Sequence, residues 1–314
     1  MSSSSRRFVN ASATGPRWSP ASYPFVRGEV LMLGSDVAGA VVVIPSRTTT
    51  TGIVEYRGAS GSIPAYLARP SGDGVWPGVV VIHDLFGLMD HTRDIAERFA
   101  YEGYVALAPN LFASPELAAV LTPANVQKAM AFMFRLPRRD PVLAQQELAK
   151  LPPDERAIIA PTVERLLGGL PRERFAKDLV AAVNHLKTLP YVKADRIGCV
   201  GFCFGGGLSL RLACDVGVEA CVVFYGENPS PIERVRDIAG PVLGLYGAED
   251  TRLNADLDKL VKAMAEYKKD FEMRIYPGAP HAFFNDRNPT TYREAAARDA
   301  WDRVLRFYRR TLMA

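Results

Sequence analysis

Histidine and cysteine are scarce, with four of each in 314 residues. The cysteines (Cys199, Cys203, Cys214, Cys221) all fall between residues 199 and 221, and no C-x-x-C pair or nearby histidine accompanies them. That spacing argues against a zinc site and against a disulfide framework, so no metal is expected. Neither charge dominates: 38 Lys and Arg face 34 Asp and Glu, a formal net charge of +4. Basic clusters such as Arg135–Asp140 and Arg306–Arg310 have no long aromatic-interleaved run around them and read as solvated helix faces, so nucleic acid is not expected as a partner. Long hydrophobic runs are also missing. The stretch from Glu29 to Ser46 is interrupted by Gly34, Ser35 and Asp36, too short and broken to span a bilayer. The Arg pair near the N-terminus is not followed by an apolar segment, which argues against a secretory leader, and a cytoplasmic protein is the expectation.

What is present is the composition of a globular protein with ample core: 48% hydrophobic and 23% charged. Residues 1 to about 22, rich in Ser, Arg and Pro, read as mobile, and two short apolar runs at 29–33 and 40–44 read as strands. The expected organisation is an N-terminal extension over 1–51 and one α/β domain over 52–314. Within that domain, 53–68 reads as a hairpin. From residue 77 apolar runs such as "PGVVVIHD", "YVALAPN", "RIGCVGF" and "VEACVVFYG" alternate with amphipathic segments. Unbroken apolar strands between helices predict a mostly parallel, doubly wound sheet with flanking helices. Helices are expected at 90–101, at 172–190 with Phe175, Leu179, Val183 and Leu186 on one face, and over a closing segment at 291–312. Residues 113–171 break the alternation with three expected helices (about 123–135, 141–150 and 154–167), a helical insertion with little apolar content of its own.

In open α/β sheets, sites lie beyond the carboxyl ends of strands. The polar residues ending the expected strands are His83–Asp84, Asn110, Cys203, Glu227, Asp250 and His281. Gly201-Phe202-Cys203-Phe204-Gly205 matches the G-x-S-x-G elbow with Cys in place of Ser. A helix starting directly after Cys203 turns its amides toward the sulfur, which favours thiolate, and the Phe204 N–H would face the oxygen of a bound acyl group. The same glycine-rich turn also arises for packing alone. Asp250 taken alone is equally a helix N-cap, and His281 alone a loop residue. Together, in the order nucleophile, acid, base, the three residues predict a triad. His91, near a helix start, and His185, mid-helix, read as core or surface residues.

The segments "VVVIHDLFGL", "GFCFGGG", "LYGAED" and "PHAFFND" resemble the dienelactone hydrolase (carboxymethylenebutenolidase-like) family of α/β-hydrolases over about 52–314, apart from the insertion. The resemblance implies the α/β-hydrolase fold, no cofactor, and a Cys203–His281–Asp250 triad cleaving a carboxylic ester or lactone through an acyl-thiol intermediate. It also implies an oxyanion hole from the Phe204 and Leu85 amides. Where the family carries a Glu that helps activate the cysteine, this chain has Asp84. Where the family holds a substrate carboxylate with two arginines, it has Ser114 and Asn285. Arg287 lies nearby, and Arg135, Arg138 or Arg139 of the insertion are candidate replacements. Phe86, Phe202, Phe204, Tyr225, Phe283 and Phe284 flank the expected site as pocket or core. The expected partner is a small-molecule ester or lactone. A thioesterase or acyltransferase on the same triad, and a non-catalytic binding protein of this fold, are the alternatives; neither the oligomeric state nor the insertion's role is legible.

Overall fold

Among the described residues, eight strands make one sheet in the order β1-β2-β4-β3-β5-β6-β7-β8. The computed structural model describes residues 48–59, 61–136 and 141–314. The runs expected as strands at 29–33 and 40–44, the start of the chain, and Arg138 and Arg139 lie outside these residues.

β1 (Thr49–Gly58) and β2 (Gly61–Pro70) form the expected antiparallel hairpin, with Tyr56 opposite Ile63. β2 pairs antiparallel with β4 (Val105–Pro109). From there the sheet is parallel, through β3 (Trp76–Ile82), β5 (Val192–Phe202), β6 (Ala220–Phe224), β7 (Val242–Gly247) and β8 (Phe271–Tyr276). This is the mostly parallel sheet that the apolar runs predict.

Successive side chains of a strand point to opposite faces, so an unbroken apolar strand feeds two cores. β5 does this: Ile197 and Cys199 join one cluster, Val200 and Phe202 the other. α1 (Asp90–Tyr101) and α10 (Glu294–Leu312) cover the second face. α6 (Arg172–Thr188) and α7 (Phe204–Asp215) cover the first, along with the insertion. The apolar stripe expected on α6 is the buried one: Phe175, Leu179, Val183 and Leu186 are all fully buried. Each such side chain contributes about 1.5–3 kcal/mol through burial.

The three helices expected in the insertion are present as α3 (Pro123–Arg135), α4 (Pro141–Ala149) and α5 (Pro153–Gly168), and among the described residues a short helix, α2 (Pro115–Ala118), precedes them. Its apolar content is larger than expected. Val126, Ala129 and Met133 of α3 recur at helical spacing and are buried with Ile159, Val163 and Leu166 of α5 in the sheet's own first-face cluster. Spread over two helices, that content reads thin in sequence, but the pairing makes one continuous apolar seam. Two further helices, α8 (Thr251–Asn254) and α9 (Leu257–Glu266), follow β7, and a 3-10 turn at Ile232–Asp237 that the sequence pattern does not announce precedes it. Among the described residues no helix is long and apolar enough to cross a membrane.

Candidate active site

Cys203 is the single residue between β5 and α7, with φ 56° and ψ −116°. A non-glycine residue held there is strained, and such strain persists only where the surroundings over-determine it. Two glycines do so here. A Cβ at Gly201 would sit 1.9 Å from the Gly205 carbonyl oxygen, and one at Gly205 would sit 2.4 Å from the carbonyl oxygens of Ile82 and His83. The strand, the turn and the first turn of α7 therefore pass within backbone contact of β3. The Cys203 amide donates to the Phe224 carbonyl at 3.0 Å, and its own carbonyl accepts from Gly207. Phe204 opens α7, so its N–H is among the donors that a helix leaves unpaired at its start.

The ends of β7 and β8 are laced together. Ala248 N–H donates to the Tyr276 carbonyl and Glu249 N–H to that of Ala279, which sets Asp250 beside the loop carrying His281. His281 Nδ1 lies 2.5 Å from Asp250 Oδ2. Asp250 is buried and is the residue before α8, but its carboxylate goes to His281 and caps no amide. Cys203 is the second hydrogen-bonding neighbour of the ring. Burial works against the imidazolium, yet the hydrogen bonds and negative charge of Asp250 and Cys203 outweigh it and push the His281 pKa up to about 10. Cys203, Asp250 and His281 are thus brought together at three strand ends. The other cysteines are buried; burial pushes the Cys214 thiol up to about 12.

Asp84 ends β3. One of its carboxylate oxygens accepts from the Phe86 N–H at 2.8 Å, folding the loop that carries Leu85. Burial holds the Asp84 pKa above the usual carboxylate value, opposed by His91, the Phe86 amide and His281. His83 is fully buried and its pKa is lowered to about 4 by desolvation. As a neutral ring it accepts from the Leu111 N–H at Nε2 and donates from Nδ1 to the Asp84 carbonyl, at 3.2 and 2.6 Å. It ties the β3 and β4 ends together.

The aromatic candidates divide. Phe86 lines a groove of about 470 Å³ with Asp84, Asn285 and Arg287, roofed by α3. Phe202, Phe283 and Phe284 are buried beneath the site in an aromatic stack, Phe202 at 4.8 Å from Phe224 and 5.7 Å from Phe284. Tyr225 is buried with its ring 5.0 Å from that of His281. Phe204 packs edge-on against Phe175 and under the Arg172 guanidinium. Ser114 lies away from the groove wall and accepts a hydrogen bond from Arg174 of α6 at 3.0 Å. Arg135 is the last residue of α3 and is exposed.

One residue read from the sequence only as core or surface also lines this groove. His91 of α1 is buried in the wall of the same groove, edge-on to Phe202, with Nδ1 3.8 Å from Asp286. Its position at helical spacing was legible; its neighbours, from β5 and the loop after His281, were not.

Comparison with known proteins agrees with this architecture. The model of the "Dienelactone hydrolase family" matches residues 63–312. A Saccharolobus solfataricus protein named "Putative carboxymethylenebutenolidase" is 41% identical over 258 residues, 81% of this chain and 96% of its own. A Synechocystis protein of the same name is 30% identical over 262 residues, 80% of this chain and 92% of its own. Among solved structures, a "Putative Dienelactone Hydrolase" from Klebsiella pneumoniae superposes with a TM-score of 0.64 at 26% identity, covering 83% of this chain and 98% of that one.

Proposed function

The chain belongs to the dienelactone hydrolase family, a hydrolase of the ester and lactone type, and on that premise we propose that it cleaves its substrate through Cys203, His281 and Asp250 by way of an acyl-thiol intermediate. The observation that carries this is the elbow: Cys203, strained at φ 56°, sits beside an imidazole whose far nitrogen is 2.5 Å from the buried Asp250 carboxylate.

The chemistry follows from those positions. Cys203 sulfur, its proton already held by His281 as the imidazolium, adds to the carbonyl carbon and the carbonyl electron pair moves onto oxygen. The N–H groups of Phe204 and Leu85 hold that oxyanion; α7 adds the positive end of its dipole. As the oxyanion collapses the C–O bond breaks, and the imidazolium gives its proton to the departing alkoxide. Water then adds to the acyl-thiol, losing a proton to His281, and collapse releases the acid and the thiol. Asp250 keeps Nδ1 protonated, so Nε2 is the atom that accepts and returns protons. Asp84 acts on the loop geometry: through the Phe86 amide it holds the turn that presents Leu85.

Cys203→Ala is expected to lower p-nitrophenyl acetate hydrolysis by at least about 10³-fold with the fold retained. Brief incubation of the wild type with that ester, followed by acid quench and mass spectrometry, should place one acetyl group on Cys203. Activity retained in the Ala variant, or acetyl on another residue, overturns the assignment. Iodoacetamide gives an independent check: labelling is expected at half-buried Cys203 ahead of the three buried cysteines.

A further inference from the structure

The insertion has a face that core packing does not use. Val126, Ala129 and Met133 of α3 turn inward, while Gln127, Ala131 and Phe134, again spaced three to four residues apart, roof the groove that starts at Asp84. Phe134 is 69% exposed, a large apolar ring at the groove rim. Opposite stand Phe86 and Met89. The groove therefore has apolar surface on both sides and, at about 470 Å³, the capacity of an ordinary small-molecule site.

Polar residues line it as well, Asp84, Thr92, Asn285 and Arg287 among them, and one polar group differs from the rest. His91 is 5% exposed, and neither ring nitrogen has a hydrogen-bond partner. Asp286 Oδ1, 3.8 Å from Nδ1, is beyond hydrogen-bonding distance and is itself without a hydrogen-bond partner, while Oδ2 is engaged by Arg98 at 2.7 Å. A buried polar atom without a partner is costly, and one in the wall of a groove that also carries Asp84, an electrostatic neighbour of His281, is suited to a ligand atom.

Resting on the reading of Cys203 as nucleophile, we propose that α3 of the insertion roofs a specificity subsite that takes an apolar arm of the ester, with a neutral hydroxyl or carbonyl oxygen of that arm hydrogen-bonded by His91. The insertion then selects substrates by arm length, and His91 selects among arms of equal length by the oxygen they carry.

Ala131 is exposed on its helix, so Ala131→Trp fills the groove without disturbing the seam against α5. Kcat/KM for p-nitrophenyl octanoate relative to acetate is expected to fall at least about tenfold in this variant. In Lys128→Trp, on the same helix but outside the groove wall, the ratio should stay at the wild-type value. The wild type is expected to prefer ω-hydroxyoctanoate over octanoate esters, and His91→Phe, which keeps the ring against Phe202, to lose that preference. Calorimetric titration with 2-decanone needs no nucleophile and should show about tenfold weaker binding to Ala131→Trp. An unchanged chain-length ratio together with unchanged ketone binding in Ala131→Trp overturns the subsite. An unchanged hydroxyl preference in His91→Phe overturns the role of His91. Failure of the nucleophile is a separate result, acetate hydrolysis surviving Cys203→Ala, and the ketone titration still decides the subsite in that case.

Discussion

His281 Nδ1 and Asp250 Oδ2 are 2.5 Å apart, joining the loop after β8 to the end of β7 across 31 residues of chain. The carboxylate is 7% exposed and the imidazole 31%, so the pair faces the site on its histidine side and the protein on its aspartate side. Asp250→Asn keeps the shape and removes the charge. We expect kcat for p-nitrophenyl acetate to fall roughly a thousandfold, because the amide no longer fixes the tautomer that Nε2 needs. In the wild type the descending limb of the pH–rate profile should lie near pH 10, where His281 loses its proton; in the variant it should move toward the ordinary histidine range. A limb that stays in place would show that Asp250 does not set the imidazole's affinity for protons.

The same pair has a signature in stability. His281's pKa is raised in the folded protein, from 6.5 to about 10, so the folded state binds the proton more tightly than the unfolded chain. The stabilisation is complete below pH 6.5 and is lost as pH rises through about 10. Thermal unfolding scanned over that interval should show Tm decreasing with pH, with a shallower decrease in Asp250→Asn.

Much of the candidate site was readable from the chain because its residues sit at strand ends. Cys203, Asp250 and His281 each follow a strand of the parallel sheet, and parallel topology carries such ends to one edge. The aromatic residues resist the same treatment. Phe86 and Phe202 each stand one or two residues from a polar strand end, and nothing local separates groove wall from core. The difference lies in partners: Phe202 meets Phe224 and Phe284, the latter 82 positions away in sequence numbering, whereas Phe86 faces α3. His91 is hidden for the same reason, since its neighbours come from β5 and the post-His281 loop. Ser114, expected at the pocket, accepts a hydrogen bond from Arg174, a contact between the insertion's start and α6 that no spacing foretells.

The glycines of the elbow differ sharply in what they tolerate. Gly205→Ala would put a Cβ 2.4 Å from the carbonyl oxygens of Ile82 and His83 at the end of β3, backbone that has no side chain to swing away. We expect a loss of roughly 4 kcal/mol or more in urea unfolding, or no folded protein. At Gly207, one turn into α7, the nearest atoms to such a Cβ are 3.4 Å away, ordinary contact. Gly207→Ala should leave stability within about 1 kcal/mol of the wild type and gain slightly from helix propensity. Equal damage from both would mean that the turn is not constrained by its approach to β3.

Asp286 closes the ion-pair chain that holds the post-His281 loop to α1. Its carboxylate accepts from Arg98 Nη2 at 2.7 Å; Arg98 also pairs with Asp94, and all three side chains are under a tenth exposed. Burial disfavours the Asp286 charge, but the contacts with His91 and Arg98 prevail and hold its pKa well below the usual carboxylate range. A depressed folded pKa stabilises the protein above the unfolded value, near pH 4, and that contribution is lost as pH falls further. Asp286→Ala should cost about 2–3 kcal/mol, less than removing the sole partner of a buried charge because Asp94 still serves Arg98. Its acid-unfolding limb should be flatter than that of the wild type. Because Asn285 and Arg287 flank the lost anchor and line the groove, KM for p-nitrophenyl octanoate should rise more than KM for the acetate. A purely structural contact would lower stability and leave the two KM values in their original ratio.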